Sequence, residues 1–384
     1  MQPHLLSVDE LSRDDIERIL GRAESFAEVS GREIKKVPTL RGRTVINLFY
    51  EASTRTQSSF ELAAKRLSAD LITLKAAGSA VDKGESLKDT VQTLSAYDPA
   101  AIIIRTPYAG AAALVARWTS AAVINAGDGK HEHPTQALLD LYTLKRRAGS
   151  LEGLRVWIVG DVLHSRVARS NILAFTRMGC EVTVCGPPTL IPRGIESLGC
   201  EVRYTLDELS SADVVYALRM QRERMSGSFV PSLREYAARY QIDGRRLGPS
   251  QLLMHPGPVN RGVELAAEVI DSPQALIASR SSRESWCGWR CSTSCSRGAG
   301  RQTAHAQAPR RSRSPHERRS RSHERLRSPG RGRARLRGGA AGDRAGARRA
   351  PARSARGTER GERRARARRA HRGDQPHDRR ARGR

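Results

Sequence analysis

The sequence has no lysine after Lys145 and no paired cysteines in its first 280 positions. It also lacks any run of about 18 apolar residues, so no transmembrane helix is expected. Its opening HLLSVDELSRDDIERIL is acidic and amphipathic rather than basic and then apolar. No secretory leader is therefore expected, and the expected location is the cytoplasm. Cys180, Cys185 and Cys200 have no close spacing and read as core thiols of a reducing compartment. The glycine-rich spacing and terminal lysine of a P-loop are missing too, so a nucleoside triphosphate is not the first ligand to consider.

Acidic residues are scarce in only one place. Positions 281–384 hold 32 basic and 8 acidic residues, against 67 and 40 in the whole chain of 384. Nearly all of the net charge of +27 is thus C-terminal, and the first 280 residues have the balance of an ordinary globular enzyme.

What is present centres on LFYEASTRTQSSF, residues 48–60. TVINLFYE before it reads as a buried strand, and SSFELAAKRL after it as a helix with Phe60, Ala63, Ala64 and Leu67 on one face. Ser53 is a candidate N-cap. A helix start at a strand end offers unpaired N–H groups to an anion, and the Arg55 guanidinium matches phosphate oxygens. These residues read either as a phosphate cradle or as an ordinary capped helix with a solvated arginine.

Strands and helices alternate through both halves of the first 280 residues. Residues 7–29 read as a helix capped by Ser7, with Leu11, Ile16, Ile19, Leu20 and Phe26 inside. PTQALLDLYTLKRR, IPRGIESLG, LDELSSA, PSLREYAARYQI and VELAAEVI read as further helices, and AAIIIR, AAVINAG, RVWIVGD, EVTVCGP, DVVYALR and QLLMHPGP as strands. The expected fold class is α/β, with two parallel-sheet domains, 1–147 and 151–278, and the site between them. Polar residues follow the strands at Ser53 to Thr56, Arg105, Asn125 to His133, Asp161 to Arg166, Arg219 to Gln221 and His255 to Pro258. Strand carboxyl ends are where such sheets bind ligands. HEH at 131–133 is not read as a metal site, because neighbouring residues do not face one ion well.

Seven segments occur in order over roughly residues 5–278: LFYEASTRTQSSFELAAKRL, SAVDKGES, IIIRTP, DGKHEHPTQALLDLYT, VGDVLHSRVARSN, ALRMQRER and MHPGPVNRG. Together they closely resemble the aspartate/ornithine carbamoyltransferase superfamily, and within it the aspartate carbamoyltransferase catalytic chains. The resemblance implies transfer of a carbamoyl group from carbamoyl phosphate to aspartate, the committed step of pyrimidine synthesis, with no cofactor, metal or covalent intermediate. It implies a first domain that holds carbamoyl phosphate through Ser53, Thr54, Arg55, Thr56, Arg105, His133 and Gln136. Of these, Arg55, Thr56, Arg105 and His133 would serve catalysis. It implies a second domain that holds aspartate through Arg166, Arg219, Gln221, Gly257 and Pro258, with Lys83, beside Ser79, reaching in from the adjacent subunit of a homotrimer. Regulatory chains are a partner class it leaves open. The alternative is ornithine carbamoyltransferase, which uses an acidic contact and a Cys-Leu-Pro turn. Here Arg219-x-Gln221 and the cysteine-free His255-Pro256-Gly257-Pro258 follow the aspartate pattern.

The resemblance stops after Leu276. Residues 279–384 are expected to be a disordered, low-complexity basic tail, and a frame error explains it. Back-translating Ser281 to Gly298 with GC-rich codons and reading two bases later permits LARVVVRMAVLYELLAGG, the amphipathic helix expected there. The rival reading is a real arginine-rich arm that binds nucleic acid nonspecifically, with Cys287, Cys291 and Cys295 as candidate metal ligands.

Overall fold

The computed structural model describes residues 4–75, 84–225 and 227–277. The expected tail therefore lies outside the described residues.

Each half is built on an open, all-parallel sheet. In the first, β1 (Thr44–Phe49), β2 (Asp70–Lys75), β3 (Ala101–Thr106) and β4 (Ala122–Asp128) stand in the order β2-β1-β3-β4. In the second, β5 (Arg155–Val159), β6 (Glu181–Cys185), β7 (Cys200–Arg203), β8 (Val214–Ala217) and β9 (Leu252–Met254) stand in the order β7-β6-β5-β8-β9. Both sheets reverse direction once, at β1/β3 and at β5/β8. At such a reversal, consecutive crossovers leave on opposite faces and open a crevice at the strands' carboxyl ends.

Residue chemistry accounts for the layering. Ile102, Ile103 and Ile104 of β3 are wholly buried, and Ile103 joins one apolar cluster while its two neighbours join another. A strand buried on both faces needs this unbroken β-branched run. The helices α1 (Arg13–Ser30), α2 (Thr54–Arg66), α3 (Leu87–Ser95), α4 (Ala111–Trp118), α5 (Pro134–Ala148), α6 (Arg166–Arg177), α7 (Leu233–Tyr240) and α8 (Ala267–Ile270) provide the cover. Pro134 opens α5, where its missing N–H costs no hydrogen bond. From Ala137 to Leu144 every residue of α5 is buried. That helix packs on α6, and the largest apolar cluster runs through both, from Val45 and Ile103 of the first sheet to Val156 and Ile158 of the second.

Several expected helices are shorter. The first begins at Arg13 rather than near Ser7, because Ser12 and Asp15 form a reciprocal capping box. The Ser7 hydroxyl instead donates to Glu132. IPRGIESLG and LDELSSA give only 3-10 turns, Ile195–Leu198 and Leu209–Ser211. Of VELAAEVI only Ala267–Ile270 is helical. These segments carry too few apolar positions at helical spacing for a long amphipathic face.

Cys180 and Cys185 are buried, which pushes their thiols up to about 12, and burial likewise raises Cys200 to about 11. No helix of the described residues is long and apolar enough to cross a membrane.

Candidate active site

The carboxyl ends of both sheets open into one cleft of about 380 Å³. The loop after β1 supplies Glu51 to Thr56, β3 supplies Arg105, and the start of α5 supplies His133 and Gln136. From the second sheet come Ser165 and Arg166 at the start of α6, Arg219, Gln221, Glu223 and Arg224 after β8, and Pro256 to Pro258 after β9. The cleft thus gathers Ser53, Thr54, Arg55, Thr56, Arg105, His133, Gln136, Arg166, Arg219, Gln221, Gly257 and Pro258. Lys83, with Ser79, lies outside the described residues.

Ser53 is the N-cap of α2, but its hydroxyl donates sideways to Thr56 Oγ1 at 3.0 Å instead of accepting from the helix. The first-turn N–H groups of α2 therefore keep their unpaired character for an anion. Arg55 on that turn lies over Gly257. A Cβ there would run into the Arg55 guanidinium, and the φ of +63° already favours glycine.

Glu51 sits among three guanidinia. Arg166 Nη2 is 2.5 Å from both of its oxygens, Arg224 Nη2 is 2.9 Å from Oε1, and Arg105 Nη2 is 3.2 Å from Oε1. Burial pushes the Glu51 carboxyl up. The bonded Arg166 and the charges of Arg105, Arg166 and Arg224 outweigh this and hold it below its usual range. Burial lowers Arg105 to about 10, helped by repulsion from Arg166, so it remains a cation at neutral pH. Arg105 Nη1 also donates to the Ala126 carbonyl at 3.1 Å, while Arg224 Nη1 reaches the His164 carbonyl at 3.2 Å. Arg105 Nε and Arg166 Nη1 are buried without a protein acceptor, so donors remain for a ligand.

The HEH sequence divides its three side chains. His131 Nδ1 meets Asp128 at 3.1 Å, and Glu132 accepts from Ser7 and, at 3.1 Å, from Ser170. The His133 side chain faces the cleft, while its backbone N–H donates to Ser170 Oγ at 2.8 Å. Burial holds the His133 imidazole well below its usual pKa, and the charges of Arg105, Arg166 and Arg224 lower it further. The ring is therefore neutral. Thr135 Oγ1 stands 3.2 Å from Nδ1, and a hydroxyl donated there leaves the ring proton on Nε2.

Sequence reasoning gave no role to Glu51, Glu223 and Arg224. Arg219 is paired with Glu223, one turn further along the same loop. Glu51 and Arg224 were inside the segments that carried the family resemblance, but only the fold brings them together. In total the cleft presents five guanidinia, those of Arg55, Arg105, Arg166, Arg219 and Arg224, against the carboxylates Glu51 and Glu223. Such a set holds oxyanions, and its planar forks suit phosphate and carboxylate oxygens.

Residues 3–146 match the family model of the aspartate/ornithine carbamoyltransferase carbamoyl-P binding domain, and residues 152–283 that of the Asp/Orn binding domain. The aspartate carbamoyltransferase catalytic subunit of Acidothermus cellulolyticus is 56% identical over 281 residues, spanning 72% of this chain and 87% of that one. That of Thermobifida fusca is 56% identical over 278 residues, 71% of this chain and 89% of its own. Among solved structures, the aspartate transcarbamoylase of Trypanosoma cruzi with carbamoyl phosphate and aspartate superimposes with a TM-score of 0.68 at 28% identity, covering 76% of this chain and 96% of that one. The catalytic subunit of the M. jannaschii aspartate transcarbamoylase gives 0.69 at 31% identity, covering 80% and 100%.

Proposed function

The chain belongs to the aspartate/ornithine carbamoyltransferase family, and from that premise we propose that its cleft transfers the carbamoyl group of carbamoyl phosphate to the amino group of L-aspartate. The products are N-carbamoyl-L-aspartate and phosphate, the step that commits carbon to pyrimidine synthesis. The observation that carries this reading is the convergence of five guanidinia from both sheets on one cleft. One substrate brings a phosphate and the other two carboxylates.

Ser53, Thr54, Arg55 and Thr56 hold the phosphate at the start of α2. Thr56, Arg105 and the neutral His133 donate to the carbonyl oxygen, where negative charge grows as the amine attacks. A neutral imidazole with its proton on Nε2 is the form that can do this. Gln136 accepts from the carbamoyl NH2. Arg166, Arg219 and Gln221 take the aspartate carboxylates, and the turn at Gly257 and Pro258 closes the cleft beside Arg55. The amine lone pair forms the new C–N bond, the C–O bond to phosphate breaks, and the departing phosphate takes the amine proton. Orienting two charged substrates and stabilising the oxyanion supply the rate. Lys83 joins each site from an adjacent subunit of a homotrimer.

Ornithine is disfavoured by the same charge balance. Its side-chain amine would be the nucleophile, which leaves its α-ammonium to be held, and the cleft's carboxylates, Glu51 of the first domain and Glu223 of the second, are already committed to arginines.

The deciding experiment measures carbamoylated product with carbamoyl phosphate and either aspartate or ornithine, for the native chain and Arg55→Ala. Product with aspartate alone, abolished by Arg55→Ala, is expected. Product with ornithine, or an active Arg55→Ala, would overturn the reading.

The domain division 1–147 and 151–278 and the out-of-frame origin of 279–384 belong to the same proposal. Sequencing the gene checks the latter: a single-base insertion or deletion between the codons of about residues 276 and 282 should restore the helix.

A further inference from the structure

Asp140 is wholly buried on α5, one turn beyond Gln136. Three side chains converge on its carboxylate. Gln136 Nε2 lies 3.1 Å from Oδ1, and Asn171 Nδ2 of α6 lies 2.9 Å from Oδ2. The Tyr216 hydroxyl of β8 lies 2.6 Å from that same Oδ2. In each of these bonds the neighbour turns a donor toward Asp140, and for Gln136 that donor is Nε2. For Asn171 and Tyr216 this has no consequence in the cleft. For Gln136, which lines the cleft, it does. The amide nitrogen and oxygen sit on opposite sides of Cδ. With Nε2 held toward the interior, Oε1 is the atom left for a ligand.

We propose that Asp140 is a positioning residue that fixes the orientation of the Gln136 amide. It thereby makes the site select a donor whose reacting carbon bears an N–H group over one whose carbon bears only a methyl. Carbamoyl phosphate and acetyl phosphate differ at that group alone. The inference rests on the reading of the cleft as a carbamoyl phosphate site, and it explains how that site discriminates.

The test compares the native chain with Asp140→Asn and Asp140→Ala, using aspartate and either donor. Acetyl phosphate is followed by N-acetyl-aspartate formation or, where it is not turned over, by its competition against carbamoyl phosphate. Asparagine keeps the shape of Asp140. Its oxygen serves Asn171 and Tyr216, and its Nδ2 then faces Gln136 and turns the amide over, putting NH2 into the cleft. The carbamoyl-over-acetyl preference should fall roughly tenfold or more in Asp140→Asn, the scale of one unmatched polar contact. It should fall less in Asp140→Ala, where the amide is free to turn.

A purely structural tie predicts a larger loss of stability and of overall activity in Asp140→Ala than in Asp140→Asn, because alanine leaves a cavity and asparagine does not. It also predicts equal losses with both donors. Thermal unfolding identifies which variants fold, and an unchanged preference in either folded variant overturns the inference. A native chain that makes no carbamoyl aspartate overturns the functional reading instead, so the two failures are distinct.

Discussion

Glu51 and Arg166 lie on opposite sides of the cleft, one after β1 and the other opening α6, and both Glu51 oxygens are 2.5 Å from Arg166 Nη2. This contact joins the two sheets at their switch points, and Arg105 and Arg224 complete it. Glu51→Gln removes the charge that neutralises three guanidinia and keeps the shape. The expected result is a higher KM for aspartate, a lower kcat and a loss of stability of up to roughly 3 kcal/mol, the scale for breaking a partly buried pair. Because the folded-state pKa of Glu51 is depressed, its contribution is present above the unfolded carboxylate pKa. It is lost as pH falls through the folded value. Urea midpoints of both proteins between pH 7 and pH 3 should therefore converge at the acid end.

Gly127 in β4 has φ +113°, and a Cβ there would lie 2.9 Å from Arg166 Nη1 and 3.3 Å from Arg105 Nη1. The backbone must be bare for the two guanidinia to share this space. Gly127→Ala strains the chain and displaces both cations. Its expected cost is about 1–3 kcal/mol of stability, with a larger proportional loss of activity. Thermal melting and the carbamoyl aspartate assay check this, and an alanine variant of native stability and rate would refute it.

Much of this was legible in the sequence because strand ends announce themselves. The run AIIIRT gives a strand buried on both faces, so Arg105 had to emerge at its carboxyl end. Ser53 to Thr56 and Arg166 were placed the same way. Glu51 and Arg224 were not: a glutamate and an arginine separated by 173 positions carry no local pattern, and their meeting depends on how two sheets are set against each other. The start of α1 was misplaced because Ser7 and Ser12 both look like caps, and only tertiary contact sends Ser7 to Glu132. Asp140 was hidden for a related reason. In LLDLYT it looks like one polar residue on a helix, and its partners come from α6 and β8.

His133 offers a prediction about pH. Burial first, and then the nearby arginines, depress its pKa. Between that depressed value and the ordinary histidine pKa, near 6.5, the unfolded chain binds a proton that the folded chain refuses. Stability therefore rises with pH across that window and declines as pH drops below about 6.5. His131 works the other way: its bond to Asp128 raises its pKa, and that contribution is lost as pH rises through the folded value. His133→Gln should flatten the acid-side decline of the melting temperature and lower kcat. The native enzyme should show no kinetic transition near pH 6.5 from this residue. A kcat limb at pH 6.5 that vanishes in His133→Gln would show that the imidazole titrates and is not held neutral.

The shared-site proposal can be tested with two inactive chains. Arg55→Ala removes the proposed phosphate contact at the start of α2, and Lys83→Ala removes the lysine's charge. If Lys83 serves the site of an adjacent subunit, the two defects lie in different chains of one site. Unfolding the two variants together and refolding the mixture should then restore part of the native rate. Some mixed interfaces will combine an intact cradle with an intact lysine. Each variant refolded alone should remain inactive. If Lys83 instead served its own chain's site, every site in the mixture would carry one lesion, and no activity would return.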